Sequence, residues 1–329
     1  MRIWNSSISL ALGYRSCNGD NSAMTAPLQK KPPLTPKYWG EWLLVGLLGL
    51  LGKAPQSVGL AISVPLGWLM ARLMKRRRLI AQRNIERCFP ELSGTSRDRL
   101  LADHFNALAR MVFEVTWAWS GSVRRLEKLA RYEGLEHIER EIARGQGVLA
   151  YTAHVTCLEM GGRLAAFKVR NAAGVYRPLK HPVIEWYQNR SRAKYSHRAI
   201  SKRDMRSAVR FLRGGGVMWY APDQDFGAAR SVFAPFFGIQ TATLEGTQRL
   251  VELSGCRVVP MYPIYDRESR KYIIRFFPAL ENFPSGDIVQ DLTRINLLME
   301  KQIRQAPEQY WWIHRRFKTR PEGEAPFYD

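Results

Sequence analysis

The run Gly147-Val148-Leu149-Ala150-Tyr151-Thr152-Ala153-His154, followed by the stretch from Cys157 to Val169, limits most narrowly what this chain can fold into. A short apolar run bounded by glycine and small residues reads as a buried strand, and the periodic apolar stretch after it reads as a helix. A strand apolar on both faces has to be covered on both, which demands partner strands and further helices. The sequence supplies them. Strand-like runs fall at 173–176, 217–221, 258–264 and 272–277, and helical patterns at 183–194, 204–213, 243–254 and 287–304. A longer helix is expected over 96–119, where Leu100, Leu101, His104, Phe105, Leu108, Met111, Val112 and Val115 keep near-helical period, and a short amphipathic one over 135–143. Strand–helix alternation predicts an α/β domain with a mixed, largely parallel sheet flanked by helices. The Gly214-Gly215-Gly216 run precedes a strand, the wrong way round for a dinucleotide loop, and reads as a turn.

His154 arrives where that first strand ends, and Glu159 follows five residues later. A histidine can take a proton from a hydroxyl near neutral pH, and a fixed carboxylate can hold the ring and stabilise its charged form. Five helical steps leave two side chains about 140° apart, so the pair cannot meet inside one helix. They can meet with His154 in the turn and Glu159 on the first turn of the helix. The same spacing also suits a core histidine beside an unrelated glutamate. In a sheet of this kind the site lies at the carboxyl ends of the strands. His154 follows one strand, Arg177 lies just past a second, and Asp223, Gln224 and Asp225 lie just past a third. These positions converge if the three strands are neighbours.

Lys and Arg total 50 against 29 acidic residues, a net charge of +21, which calls for an anionic partner or surface. No zinc-finger spacing, aromatic RNA-binding signature or basic zipper is present, so the expectation is no nucleic acid. Anionic lipid fits better, because the basic residues adjoin an apolar segment. Residues 39–70 are strongly apolar apart from an interruption at Lys53, Pro55 and Gln56. Trp39, Trp42 and Trp68 suit an interface, and Arg72, Lys75, Arg76, Arg77, Arg78, Arg83 and Arg87 follow. The first apolar stretch is too short to cross a 30 Å hydrocarbon layer alone. Either one long segment crosses, or two short helices lie in one leaflet, or the segment is a buried core helix. Residues 1–36 read as a poorly ordered extension, either a weak signal peptide or a product of translation that truly starts at Met24. Cys17, Cys88, Cys157 and Cys256 form no C-x-x-C pair and are expected to be reduced, with Cys157 a packed helix residue rather than a nucleophile.

Four blocks in order carry a resemblance to a known family. They are His154 with Glu159; Val175-Tyr176-Arg177-Pro178; Trp219-Tyr220-Ala221-Pro222-Asp223-Gln224-Asp225-Phe226-Gly227 with Ser231 to Gly238; and Trp312-Ile313-His314-Arg315-Arg316-Phe317-Lys318-Thr319-Arg320-Pro321-Glu322-Gly323. The chain resembles the lipid A biosynthesis acyltransferases over roughly 39–328. The resemblance implies an acyltransferase of the inner membrane, its catalytic domain facing the cytoplasm, with no cofactor and no metal. It implies transfer of a fatty acyl chain from acyl carrier protein to a hydroxyl of a 3-hydroxyacyl chain on a Kdo-bearing lipid A precursor. A lysophospholipid or another glycolipid is the alternative acceptor. On this reading His154 and Glu159 are a general-base pair, and Arg177, Asp223, Gln224 and Asp225 contact substrate. Arg315 and Arg316, with Lys318 and Arg320, meet the acceptor phosphates, while Trp311 and Trp312 face the membrane or the core. The expected division is an extension over 1–36, a membrane anchor over 37–72 and an acyltransferase domain over 73–329.

Overall fold

The computed structural model describes residues 33–176, 178–194, 198–201 and 204–328. Among the described residues four helices come first: α1 (Trp39–Leu51), α2 (Gln56–Leu73), α3 (Lys75–Cys88) and α4 (Gly94–Ser120). After the short α5 (Val123–Glu127), strands and helices alternate through β1 (Ala130–Glu133), α6 (Leu135–Ala143), β2 (Val148–Tyr151), α7 (Leu158–Ala165), β3 (Ala172–Tyr176), α8 (Pro182–Arg192), β4 (Arg198–Ser201), α9 (Met205–Arg213) and β5 (Val217–Tyr220). The chain then forms β6 (Ser231–Phe236), β7 (Ile239–Leu244), α10 (Gly246–Ser254), β8 (Arg257–Asp266), β9 (Lys271–Phe276) and α11 (Ile288–Ile303).

Among the described residues seven strands form one sheet in the order β1-β9-β8-β2-β5-β3-β4. The strands from β8 to β4 run parallel, β9 turns back antiparallel on β8, and β1 lies parallel to β9. This is the mixed, largely parallel sheet flanked by helices that the alternation predicts. β2 sits at its centre, and all four of its residues are buried. Leu149 and Tyr151 join one hydrophobic cluster while Val148 and Ala150 join the other, so successive residues feed opposite faces of the sheet. Side chains fix the helix starts: Ser93, Asp204 and Asp287 each accept a backbone N–H three residues on, at α4, α9 and α11.

Several elements were not expected, the short α5 among them. β1 and β4 are four-residue edge strands. Residues 231–244, read as one motif block, form a two-stranded hairpin that turns at Phe237 and Gly238, both at positive φ. The basic run after α2 is itself a helix. Ile80, Ala81, Asn84, Ile85 and Cys88 of α3 form its buried face and the arginines lie on the other side.

The N-terminal helices lie on the domain. α1 packs against α4 and α8, and α2 runs along α4. The inward face of α2 carries Gly59, Ser63 and Gly67, one per helical turn. A Cβ at Gly67 would stand 2.8 Å from the Asn106 Cα, so only glycine permits this approach. Large apolar side chains point the other way: Trp39, Leu43, Leu47 and Leu50 on α1, and Ile62, Trp68 and Leu73 on α2 are exposed. Among the described residues no single helix is long and apolar enough to cross a membrane, and α2 with α3 passes that test only as a pair bent by 99°. Gly67→Val therefore forces α2 off α4, and is expected to cost about 1–3 kcal/mol and lower the thermal midpoint, read by differential scanning calorimetry.

Candidate active site

β2, β5 and β3 are adjacent and parallel, so the loops leaving their carboxyl ends open on one side of the sheet. His154 lies in the loop after β2 and Asp223 in the loop after β5. The backbone N–H of His154 donates to Asp223 Oδ2 at 2.9 Å, and its ring Nδ1 lies 2.5 Å from Oδ1 of the same carboxylate. Asp223 is almost completely buried. Burial pushes its pKa up. The His154 charge and the hydrogen bonds from the ring and backbone of His154 pull it down further, with Arg316 adding to them, and the net shift is downward. The carboxylate is thus ionised and can only accept, so Nδ1 carries the proton and Nε2 is the nitrogen left to take one. Burial lowers the imidazole pKa, but the Asp223 charge and its hydrogen bond outweigh this and raise it above its ordinary value. Tyr151, Tyr262 and Tyr310 surround the carboxylate. Burial first, and the charge of Asp223 with it, holds all three phenols protonated.

The family resemblance made Glu159 the ring's partner, a pairing the spacing allowed, and the structure places Asp223 there instead. Glu159 does fall on the first turn of α7, as the spacing required. Its carboxylate, however, accepts from Arg192 Nε at 2.8 Å and Nη2 at 2.5 Å, and from the indole N–H of Trp119 at 2.7 Å. The ring bond that fixes the tautomer belongs to Asp223. Spacing sets how far apart two backbones lie, while the rotamer and the donors on α4 and α8 decide where the carboxylate turns.

The C-terminal segment staples both loops. Val155 and Tyr310 form an isolated antiparallel bridge, Thr156 N donates to Gln309 O at 2.8 Å, and Trp311 N donates to His154 O at 3.1 Å. The buried Gln309 amide in turn exchanges two hydrogen bonds with the backbone of Tyr265 on β8. On the other loop, the Asp225 backbone N–H donates to His314 Nε2 at 3.2 Å. That ring has its pKa lowered to about 4, chiefly by burial, and so stays a neutral acceptor. Asp225 itself is buried and bonds Gly227 N, Thr319 N and the Thr319 hydroxyl. Its expected substrate contact is thereby corrected: its oxygens close the loop onto the tail.

Two arginines are also reassigned. Arg316 is fully buried, donating to Ala242 O at 2.6 Å and to the Thr243 hydroxyl at 3.4 Å. It braces the tail against β7 and supplies positive charge behind Asp223, out of reach of a substrate phosphate. Arg315 is half-buried with its guanidinium over the Tyr328 ring, and neither arginine lines the cavity at the site. Trp312 is core, as one of its two readings had it. Arg177 lies outside the described residues. Cys88, Cys157 and Cys256 are free thiols, and burial pushes the Cys157 pKa far up, which leaves it inert as a nucleophile. Cys17 is outside the described residues. Sequence reasoning gave no role to Trp119, Arg192, Gln309 or His314; only His314 had a signal, its place in the last motif block.

His154, Glu159, Arg192 and Gln224 all line one cavity of about 1380 Å³. Ala165, Val169, Ala172, Met218 and Leu250 also line it. The arrangement can deprotonate a hydroxyl beside a space whose wall mixes small and apolar side chains with charged ones such as Arg230, Glu245 and Arg249.

Residues 27–319 match the model of the bacterial lipid A biosynthesis acyltransferases. The lipid A biosynthesis lauroyltransferase of Escherichia coli K12 is 37% identical over 291 residues, covering 88% of this chain and 95% of that protein. The palmitoleoyltransferase of the same bacterium is 36% identical over 296 residues, 90% of this chain and 96% of its own length. The myristoyltransferase is 28% identical over 294 residues, covering 89% and 91%.

Asp223→Asn keeps the shape of the carboxylate and removes its charge. Burial then dominates, and the His154 pKa is expected to fall from above its ordinary value to below it, followed by NMR titration of the ring protons.

Proposed function

We propose, on the premise that this chain belongs to the bacterial lipid A biosynthesis acyltransferase family, that it moves a fatty acyl chain from acyl carrier protein to a hydroxyl of a 3-hydroxyacyl chain on a Kdo-bearing lipid A precursor, with His154 as the base and Asp223 as its partner. The enzyme is an acyltransferase of lipid A biosynthesis. The observation that carries the finer reading is the 2.5 Å contact between His154 and a buried, ionised Asp223 at a cavity large enough for an acyl chain.

His154 Nε2 takes the acceptor hydroxyl proton as the oxygen attacks the thioester carbonyl. The carbonyl π electrons move onto oxygen, and the backbone N–H groups of Glu159 and Met160 in the first turn of α7 are candidates to receive that charge. Collapse of the tetrahedral intermediate breaks the carbon–sulfur bond. The departing thiolate takes the proton back from the imidazolium, and ester and thiol leave. Asp223 stays ionised throughout, orienting the ring and stabilising its charged form. No covalent enzyme intermediate is needed, in keeping with the inert Cys157.

The outer face of α1 and α2 is the side that meets lipid, at the cytoplasmic surface of the inner membrane. Trp39 and Trp68 are 65% and 61% exposed there, and the basic helix α3 follows directly. The +21 charge favours both an anionic leaflet and a small acidic carrier protein.

Purified enzyme given acyl-carrier-protein thioester and Kdo-bearing precursor should add one acyl chain by mass spectrometry. His154→Ala should slow this by about 10²–10⁴. The base must be neutral and its pKa is raised, so the acid limb of kcat/KM should lie above about pH 6.5. Undiminished turnover by His154→Ala, or acylation of lysophospholipid in place of the precursor, overturns the reading. The double variant Trp68→Glu/Leu73→Glu should lose binding to anionic vesicles in a sedimentation assay while its circular dichroism stays unchanged.

A further inference from the structure

Among the described residues three donors converge on the Glu159 carboxylate, and two of them are the paired N–H groups of Arg192, the last residue of α8. A fork of this kind fixes direction as well as distance, which a single lysine contact would not. The third donor, Trp119, belongs to α4, and its ring meets Tyr187 of α8 edge-on at 5.6 Å. The far end of α8 is held by a second carboxylate. Glu41 of α1 accepts the Val183 backbone N–H at 3.0 Å and lies 3.2 Å from His181 Nδ1, while Trp42 packs on Trp186 at 5.4 Å. Helix α8 is therefore pinned to the exposed apolar helix α1 at its start and to the active-site helix α7 at its end. At that second pin Asn189, Arg192 and Ala193 form part of the cavity wall.

We infer that Glu159 is a positioning residue that acts through Arg192, holding α8 as the wall against which the lipid-borne acceptor seats, and that it does not set the basicity of His154. This rests on the acyl-transfer reading of His154 and Asp223 and deepens it. The two carboxylates near the histidine then have separable duties. Asp223 governs proton transfer and Glu159 governs the shape of the acceptor side, the side continuous with α1.

Steady-state kinetics across pH, with each substrate varied in turn, separates them. Glu159→Gln and Arg192→Gln should each raise KM for the lipid acceptor about tenfold or more, the loss of a charge-assisted hydrogen bond, with KM for the acyl donor little changed. The acid limb of kcat/KM should stay in place in both, whereas Asp223→Asn moves it to lower pH. The double variant should be no worse than the poorer single one, because both remove the same contact. Arg192→Lys should recover only part of the loss, since an ammonium lacks the fork. If Glu159→Gln does not fold, Arg192→Lys and Trp119→Phe carry the same test. A Glu159→Gln acid limb displaced like that of Asp223→Asn, an unchanged acceptor KM, or effects that multiply in the double variant would each overturn the inference. His154→Ala with wild-type turnover would instead bring down the acyl-transfer reading itself. Loss of activity in His154→Ala together with a displaced limb in Glu159→Gln sinks the positioning role alone.

Discussion

One buried carboxylate joins the ends of two neighbouring strands. Asp223 takes the backbone N–H and the ring nitrogen of His154 on separate oxygens, so it fixes the loop and the side chain together. Burying a charge is costly unless partners compensate it, and here they do: a raised imidazole pKa, a directed backbone amide and the guanidinium of Arg316 behind. Removing any one of these leaves the buried Asp223 charge less compensated. The same arrangement that makes the ring basic therefore also ties the β2 and β5 loops into one unit.

That unit depends on the end of the chain. Residues 309–319 bridge the two loops with backbone hydrogen bonds, and the anchors of the bridge are themselves buried: Gln309 against β8, Arg316 against β7, Asp225 against Thr319. The tail carries the dense basic motif, whose charge suggests a surface for phosphates. Its most central guanidinium is instead spent inside, on a carbonyl and a hydroxyl. A run of arginines in sequence states nothing about burial, and Phe317, fully buried next to Arg316, shows which way this stretch faces.

The sheet was legible because its central strands are apolar on both faces, and β2, β5 and β8 all fall within a residue or two of the expected runs. α6 was legible from its clear amphipathic period. The short edge strands β1 and β4 were not, since four residues with one solvated side carry little pattern. α3 was hidden by its charge: Lys75 to Arg78 dominate the reading although Ile80, Ala81, Asn84, Ile85 and Cys88 carry the helical stripe. Convergence of the loops after β2 and β5 followed from topology alone and holds. The pairing within the site did not follow. Asp223 and Glu159 both lie within reach in sequence terms, and the choice between them turns on Arg192 and Trp119, which come from α8 and α4 and leave no local trace.

The N-terminal helices invert the usual order of a surface helix. α2 turns Gly59, Ser63 and Gly67 inward with Leu60, Leu66 and Met70 partly buried beside them, and leaves Ile62, Trp68 and Leu73 outward. At about 25 cal/mol per Å² this forgoes most of the stabilisation such side chains could give in water. Close backbone approach supplies dispersion contact in its place, as a Cβ at Gly59 would stand 2.6 Å from the Trp117 ring. A helix built this way is matched to an apolar neighbour on its outer side. Helix α8 sits between that outer layer and the catalytic helix, held by Glu41 at one end and Glu159 at the other. On the proposed reading the acceptor is part of a lipid layer, and this continuity would let its hydroxyl reach Nε2 while its hydrocarbon stays out of water.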